Sequence, residues 1–425
     1  MNVADSELVT GILEENNFKY VDNVEDADIV LLNTCSIREK AENTLRSKIA
    51  DLKKYKKTKI IGILGCMAER LGKDILQNFD SVSFCIGPDE YRNLPNAINE
   101  ALNKKKNTYT KLSLTETYED CMSKRIYSNG VSTFVSIMRG CNNMCSYCVV
   151  PFTRGRERSR RNTSILQEVK SLSEQNYKEI TLLGQNVNSY RFEDVSFADL
   201  LEQVAEIDPN IRIRFTSSHP KDLSRDIIEV IAKHKNICNY IHLPVQCGSN
   251  EVLKRMNRPY TREQYLERIA EIRDILGKDC GLSTDIMVGF CGETIKDHEQ
   301  TLDLMEKIKF DLSYTFAYSE RSGTRSAVEM VDDVPQEEKI RRLNEVIELQ
   351  NKHSLERNKK DIGKVMEVLV EGNTKKSNSQ WQGRSDSNKM VIFDAIEGVI
   401  IKPGTFLNVK INDYSSASLF GSIEN

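Results

Sequence analysis

The sequence predicts an α/β protein in three parts: a doubly wound N-terminal domain missing its first strand, a central partial (β/α)6 barrel, and a small C-terminal β-barrel. Three observations predict it. Short apolar strands alternate with amphipathic helical stretches from the N-terminus, the mark of a parallel sheet covered on both faces. Six β-then-α units then follow in series, as in a partial or closed barrel. Beyond about residue 360 the pattern changes to short alternating strands separated by Gly, Asn and Ser turns, as in a small β-barrel. These changes place the domains at 1–103, 127–358 and 361–425, with 104–126 as a linker.

Each element has a local reason. SELVTGILEENN carries Leu8, Val9, Ile12 and Leu13 on one helical face. ADIVLLNTC (27–35), KIIGILGC (59–66) and SVSFCIG (81–87) are short, mostly apolar strands. The chain opens on a helix, whereas the first strand of a doubly wound sheet normally lies inside it, so neighbouring strands would lack ladder partners. The expectation is an unusual domain, or residues that precede Met1. The lysine-rich stretch from Asn103 to Gly130 reads as a linker with room for a strand. The barrel strands are 132–140, 179–186, 211–219, 240–246, 282–290 and 312–319. The clearest helix between them starts at Thr261, where Gln264 completes a capping box, and carries Leu266, Ile269 and Ile272 on one face. A helix over 335–356 closes the series, and VMEVLVEG, KMVIFDAI and TFLNVKI are the terminal strands.

Bulk composition excludes several classes. A chain of 425 residues exceeds one ordinary core, and a net charge of −3 gives no global signature of nucleic-acid binding. Any such role must rest on local patches. No apolar run approaches the ~20 residues needed to cross a bilayer, and charged residues begin at Asp5, which does not suit a signal peptide. The reading is a cytoplasmic protein with no membrane partner. Eleven cysteines in a reducing compartment point to metal or redox chemistry, although most will be small buried hydrophobes.

The sharpest motif is RGCNNMCSYCVVPFTRG, with Cys141, Cys145 and Cys148 just after the first barrel strand. That is the face on which barrel enzymes build active sites. Structural zinc wants four closed ligands and three thiolates are not the usual catalytic zinc set. A 4Fe–4S cluster normally takes four cysteines, so three leave one iron open to a substrate. Two further cysteines, Cys35 and Cys66, lie at strand ends of the first domain, where parallel strands converge; on their own they read as packing more readily than as ligands.

The CxxxCxxC run resembles that of the radical S-adenosylmethionine superfamily. The resemblance implies that the open iron chelates the amino and carboxylate groups of S-adenosylmethionine, whose reductive cleavage yields methionine and a 5′-deoxyadenosyl radical. NTCSIREKAE, GCMAER, CVVPFTRGRERSR, LLGQNVNSY, TSSHP, HLPVQCGS and DIMVGFCGET together resemble the methylthiotransferase family. Within it the match is to the tRNA-directed group that makes 2-methylthio-N6-isopentenyladenosine beside the anticodon. The match covers nearly the whole chain, and NTCSIREKAE is its most discriminating piece.

This family implies two 4Fe–4S clusters. Cys141, Cys145 and Cys148 would hold the one that generates the radical, which takes hydrogen from C2 of the base. The second would deliver sulfur, held by Cys35, Cys66 and a cysteine in a GCQMN segment before a DSE. This sequence opens MNVADSE, inside that segment, so the second cluster lacks a ligand here. An internal Met read as the start, or a truncated chain, is the favoured explanation, natural loss of the segment is the runner-up, and Cys85 is a weak substitute. A second S-adenosylmethionine would supply the methyl group. Further implied partners are tRNA and a reductase or flavodoxin-type electron donor, and the chain is expected to be a monomer.

Supporting residues carry weaker signals. GFCGET, with Gly289 and Glu293, would contact the adenine part of S-adenosylmethionine by resemblance, although Cys291 stands where the family usually has Pro. Gly184 and Gln185 end a strand at the same edge. His219 and His242 sit at strand ends and suit packing or a backbone hydrogen bond better than metal ligation. RGRERSRR packs five arginines into eight residues, a solvated run or a phosphate-contacting stripe through Arg154 and Arg156. SQWQGRSDSNKMVIF resembles the TRAM domain, an RNA-binding barrel; Trp381 and Arg384, with Lys389 and Phe393, could stack bases and bind phosphate. Competing readings are a methylthiotransferase for another adenosine or a ribosomal protein side chain, and a shortened form that cleaves S-adenosylmethionine or binds RNA without moving sulfur.

Overall fold

The computed structural model describes the whole chain except residues 37, 38, 122, 127, 128, 376, 396–399 and 425. Part of NTCSIREKAE, the end of KMVIFDAI and the expected boundary at 127 therefore lie outside the described residues. The chain forms two compact units. One comprises Met1–Tyr127, Ser136–Met144 and Cys148–Ser164; the other comprises Ser128–Val135, Cys145–Tyr147 and Ile165–Asn425.

The first unit begins α1 (Asn2–Glu15), β1 (Ile29–Thr34), α2 (Glu39–Leu52), β2 (Ile60–Gly65), α3 (Cys66–Asn78), β3 (Phe84–Ile86), α4 (Leu94–Leu102) and β4 (Asn107–Tyr109). Its sheet is parallel in the order β1-β2-β3-β4. Leu8, Val9, Ile12, Leu94, Ile98 and Tyr118 cover one face, with Phe84 and Ile86. Leu45, Ile49, Met67, Ala68 and Ile75 cover the other, with Ile63 and Cys85. Each such aliphatic side chain stabilises the fold by roughly 1.5–3 kcal/mol. The sheet is thus covered on both faces, as the alternating pattern predicts. β4 and the buried Tyr118 both come from the lysine-rich stretch, and the Tyr118 hydroxyl accepts the Tyr91 N–H at 2.9 Å. β1 pairs only with β2 among the described residues, which leaves an all-but-apolar strand half-buried.

The second alternating series opens with β5 (Ser132–Ser136), then short β6 (Met138–Arg139), α5 (Val150–Arg154) and β7 (Arg158–Ser159). It continues through α6 (Asn162–Glu174), β8 (Glu179–Leu183), a hairpin of β9 (Arg191–Phe192) and β10 (Val195–Ser196), α7 (Phe197–Ile207), β11 (Arg212–Phe215), α8 (Arg225–Lys233) and β12 (Tyr240–His242). α9 (Asn250–Arg255), α10 (Arg262–Leu276), β13 (Gly281–Val288), α11 (Ile295–Ile308), β14 (Leu312–Ala317), α12 (Arg325–Glu329) and α13 (Gln336–Lys359) complete it. The six expected barrel strands form two parallel arcs, β11-β8-β5 and β12-β13-β14. A parallel bridge between Ile213 and Ile237 links β11 to the approach of β12. Capping boxes start α7 at Ser196, α10 at Thr261 and α11 at Thr294, each satisfying helix N–H groups that would otherwise lack acceptors.

β15 (Val365–Thr374), β16 (Ser377–Arg384), β17 (Met390–Asp394), β18 (Phe406–Tyr414) and β19 (Leu419–Ile423) close into a barrel in the order β15-β16-β17-β19-β18. Val368, Val370, Val391, Phe393, Val409 and Leu419 fill it. Its turn after β16 lies at the N-terminal ends of the parallel strands. Arg214 donates to the carbonyls of Ser385 (2.7 Å) and Asp386 (3.0 Å) and pairs with buried Glu179 at 2.8 Å. The small barrel therefore sits away from the C-terminal strand ends, which stay available for chemistry. Among the described residues, no helix is long and apolar enough to cross a membrane.

Candidate metal centre

The three-thiol loop leaves the first barrel strand at its C-terminal end. Gly140, at φ +77°, turns the chain there. A Cβ on it would stand 1.9 Å from the Arg156 carbonyl oxygen, so only glycine fits. The Cys141 N–H donates to the Gly155 carbonyl at 3.1 Å. Further along, the Ser146 N–H donates to Met256 O at 3.0 Å and its hydroxyl to Arg255 O at 2.8 Å. All three cysteines are half-buried.

Two of these sulfurs already receive N–H donors. The Val150 N–H points at Cys148 Sγ (3.4 Å), and Arg258 Nη1 at Cys145 Sγ (3.4 Å). Both contacts direct N–H groups at sulfurs of the loop, where a ligand sulfur could accept them. Soft sulfur donors without carboxylate or imidazole in the loop suit an iron–sulfur group. By donor chemistry, the residues fit the cluster their spacing implies.

Cys35 and Cys66 occupy matching places in the first unit. The β1–β2 register pairs Thr34 with Gly65, so each cysteine is the next residue beyond a paired position, at one sheet edge. Gly65, at φ +89°, makes the sharp turn that puts Cys66 at the start of α3. Arg154 Nε reaches Cys66 Sγ at 3.2 Å, and its Nη1 is buried without a partner among the described residues. A buried guanidinium nitrogen left open beside a thiol suits an anionic group at this edge. Cys85 instead lies inside β3 opposite Ile63, fully buried, with burial pushing its thiol up to about 12.

The barrel's C-terminal edge carries polar residues that the sequence reading passed over, Asn188 and Ser218, beside Gly184, Gln185 and His219, which it named. Gly184 and Gln185 follow β8 into a 3-10 turn over Val187–Ser189, and the Val187 N–H donates to Ser217 O at 3.1 Å. Asn188 is buried with neither amide atom partnered among the described residues, and the same holds for Ser218 Oγ and His219 Nε2. Such atoms cost about 1–3 kcal/mol each, a cost that a polar ligand would remove. Polar residues that run on past the strand, N-x-N and S-S-H, were the available signal. His219 Nδ1 accepts the Lys221 N–H at 3.3 Å, so the neutral ring carries its proton on Nε2. Burial, with Arg258 and Lys221, lowers its pKa to about 2.

Glu293 is internally engaged: its carboxylate accepts the Gly289 N–H at 2.9 Å and pairs with Arg342 at 2.8 Å. It clamps the GFCGET turn to α13. On β13, Ser283 and Asp285 share one face by the two-residue repeat. His242 Nδ1 meets Ser283 Oγ at 2.8 Å and its Nε2 lies 3.6 Å from Asp285. Burial lowers the His242 pKa against the pull of Asp285.

The arginine run divides. Arg154 is buried, bound to Asp5, which also pairs with Arg139 at 3.2 Å. Burial pushes Asp5 up, but the two guanidinium groups outweigh it and hold the carboxyl below its ordinary value. Arg158 is buried and grips Asp89 through both terminal nitrogens, 2.7 and 3.0 Å. Arg156 is exposed. In the small barrel, Trp381 is half-buried against the core opposite Phe393, and Arg384 Nε lies 3.2 Å from Glu371.

Among the described residues, the group drawn together like ligands of a single ion is Glu202, Glu206 and His234. Lys233 already pairs with Glu202 there.

Residues 135–305 match the radical SAM superfamily, residues 1–87 the uncharacterized protein family UPF0004, and residues 359–423 the TRAM domain. The chain is 50% identical over 441 residues to a tRNA-2-methylthio-N(6)-dimethylallyladenosine synthase of Amoebophilus asiaticus, spanning 100% of this chain and 90% of that protein. It is 51% identical over 429 residues to the Bacteroides thetaiotaomicron protein of the same name, spanning 99% and 93%. Among solved structures, the radical S-adenosylmethionine methyltransferase TsrM of Kitasatospora setae superposes with a TM-score of 0.60 at 14% identity. That alignment covers 76% of this chain and 74% of TsrM, and speaks to the fold alone.

Proposed function

Because the chain belongs to the family of tRNA-2-methylthio-N(6)-dimethylallyladenosine synthases, we infer that it methylthiolates C2 of an N6-isopentenylated adenosine beside the anticodon of tRNA. The observation that carries this reading is the three-thiol loop at the C-terminal end of a barrel strand, in a chain that also ends in a TRAM barrel. Membership in the radical SAM superfamily implies a 4Fe–4S cluster and S-adenosylmethionine. Bound together, they supply one-electron chemistry able to activate C2, a carbon that acid–base groups do not readily address.

Cys141, Cys145 and Cys148 are the residues we assign to the cluster, with N–H donors directed at two of their sulfurs. Cys35 and Cys66 would hold part of a second, sulfur-supplying cluster. Asn188, Ser218 and His219 offer polar atoms with no partner among the described residues, at the same edge as Gly184 and Gln185, where a nucleoside would find hydrogen bonds in place of water. The Gly289–Glu293 turn would lend backbone shape to the cofactor's adenine, since its carboxylate is committed to Arg342. Arg156, Trp381 and Arg384 are the assigned RNA contacts. Arg154 supports the Cys66 edge from inside. A flavodoxin or reductase in the cytoplasm would supply electrons to a monomeric enzyme.

The test is anaerobic incubation with isopentenylated tRNA, reductant and S-adenosylmethionine, followed by nucleoside mass spectrometry. The expected result is 2-methylthio-N6-isopentenyladenosine. Cofactor cleavage that leaves the nucleoside unchanged would refute the assignment for this chain.

A further inference from the structure

Arg258 is a buried cation that pairs with no carboxylate among the described residues. Its three kinds of guanidinium nitrogen are all used: Nε donates to the Tyr260 hydroxyl (2.8 Å), Nη2 to Pro244 O (2.8 Å), and Nη1 to Cys145 Sγ (3.4 Å). It lies over the Tyr260 ring, 5.1 Å from its centroid. Burial pushes the Tyr260 phenol up to about 12, so that group stays neutral and supplies no counter-charge. A buried charge is tolerated when it meets an opposite one. Of its three hydrogen-bond partners, Cys145 is the one assigned as a ligand of the anionic cluster.

The backbone fixes this contact. Ser146, next to Cys145, is tied through its N–H and hydroxyl to the carbonyls of Met256 and Arg255, two and three residues before Arg258. The Ser146 carbonyl is held in turn by the Ser326 N–H at 2.8 Å. The middle cysteine and the guanidinium are thus presented to each other by main-chain hydrogen bonds.

We propose that Arg258 is a positioning residue that supplies the counter-charge of the cluster through Cys145 and raises its reduction potential. The inference rests on the assignment of that cluster to the three-thiol loop. Reduction adds one electron to an already anionic group. A cation donating a hydrogen bond to a ligand sulfur stabilises the reduced state more than the oxidised one.

The test is a potentiometric titration, followed by electron paramagnetic resonance, of anaerobically reconstituted full chain in a Cys35→Ala/Cys66→Ala background. Arg258→Met is expected to lower the reduction equilibrium about tenfold, a shift of about 59 mV to more negative potential for one electron. Arg258→Lys keeps the charge but cannot span Cys145, Tyr260 and Pro244 together, so a smaller shift of the same sign is expected. An unchanged midpoint in Arg258→Met, with iron content and circular dichroism like the parent, would overturn the proposal. Should Arg258→Met fail to fold, the Arg258→Lys midpoint decides in the same way. A parent protein that takes up no iron and sulfide would instead sink the cluster assignment.

Discussion

Replacing His219 by Asn should make the protein lose less stability in acid. In the folded chain the ring is buried, accepts the Lys221 N–H and faces Arg258, which together lower its pKa to about 2. In the unfolded chain it titrates near 6.5. Between those values the unfolded state binds a proton that the folded state refuses. Stability therefore rises with pH through this window and falls as pH drops below about 6.5. The slope is about 1.36 kcal/mol per pH unit, so moving from pH 7 to 4.5 costs about 2–3 kcal/mol at this residue. Asn can still accept the Lys221 N–H but does not titrate. Its cavity penalty is the same at both pH values and cancels. Urea denaturation of the metal-free protein, read by circular dichroism at pH 7 and 4.5, measures the difference. The variant should lose about 2–3 kcal/mol less than the parent over that interval. Equal losses in the two proteins would refute the reasoning.

Gly140→Ala should abolish iron retention at the three-thiol loop, because its Cβ would lie 1.9 Å from a backbone oxygen; iron content after reconstitution checks it. Glu69 is held protonated near neutrality, its pKa raised to about 7 by burial and by Asp89 and Glu90. Its folded-state proton stabilises below about pH 4.5, and that contribution is lost as pH rises through 7. Glu69→Gln should thus gain on the parent by about 1–2 kcal/mol between pH 5 and 9 in denaturation midpoints, after discounting for solvent screening. Arg214→Met strips Glu179 of its buried partner and two carbonyls of their donor. It should destabilise the second unit by about 3–5 kcal/mol in urea unfolding.

The order of elements was legible because period and length gave it. Six strands of three to eight residues fell at the stretches read as strands, and the capping box at Thr261 fixed the start of α10. β4 was hidden because NTY has little apolar character; it forms by pairing with the edge of β3. Cys141, Cys145 and Cys148 stood out by their spacing, whereas Cys35 and Cys66 were singled out only by the resemblance of the residues around them. Arg154 and Arg158 were not, since a run of arginines reads as solvated surface until Asp5 and Asp89, 149 and 69 positions away, are brought against them. Arg258 gave no signal of its own, because its importance comes from partners that only the fold assembles; Asn188 gave only the faint one of a polar run continuing past its strand.

The most direct measurement is release of 5′-deoxyadenosine by anaerobically reconstituted protein given reductant and S-adenosylmethionine, compared with Cys145→Ala. The account predicts product from the parent, which should carry about four iron atoms at this loop, and none from the variant. Protein that binds zinc in place of iron, or cleaves the cofactor equally well without Cys145, would contradict it.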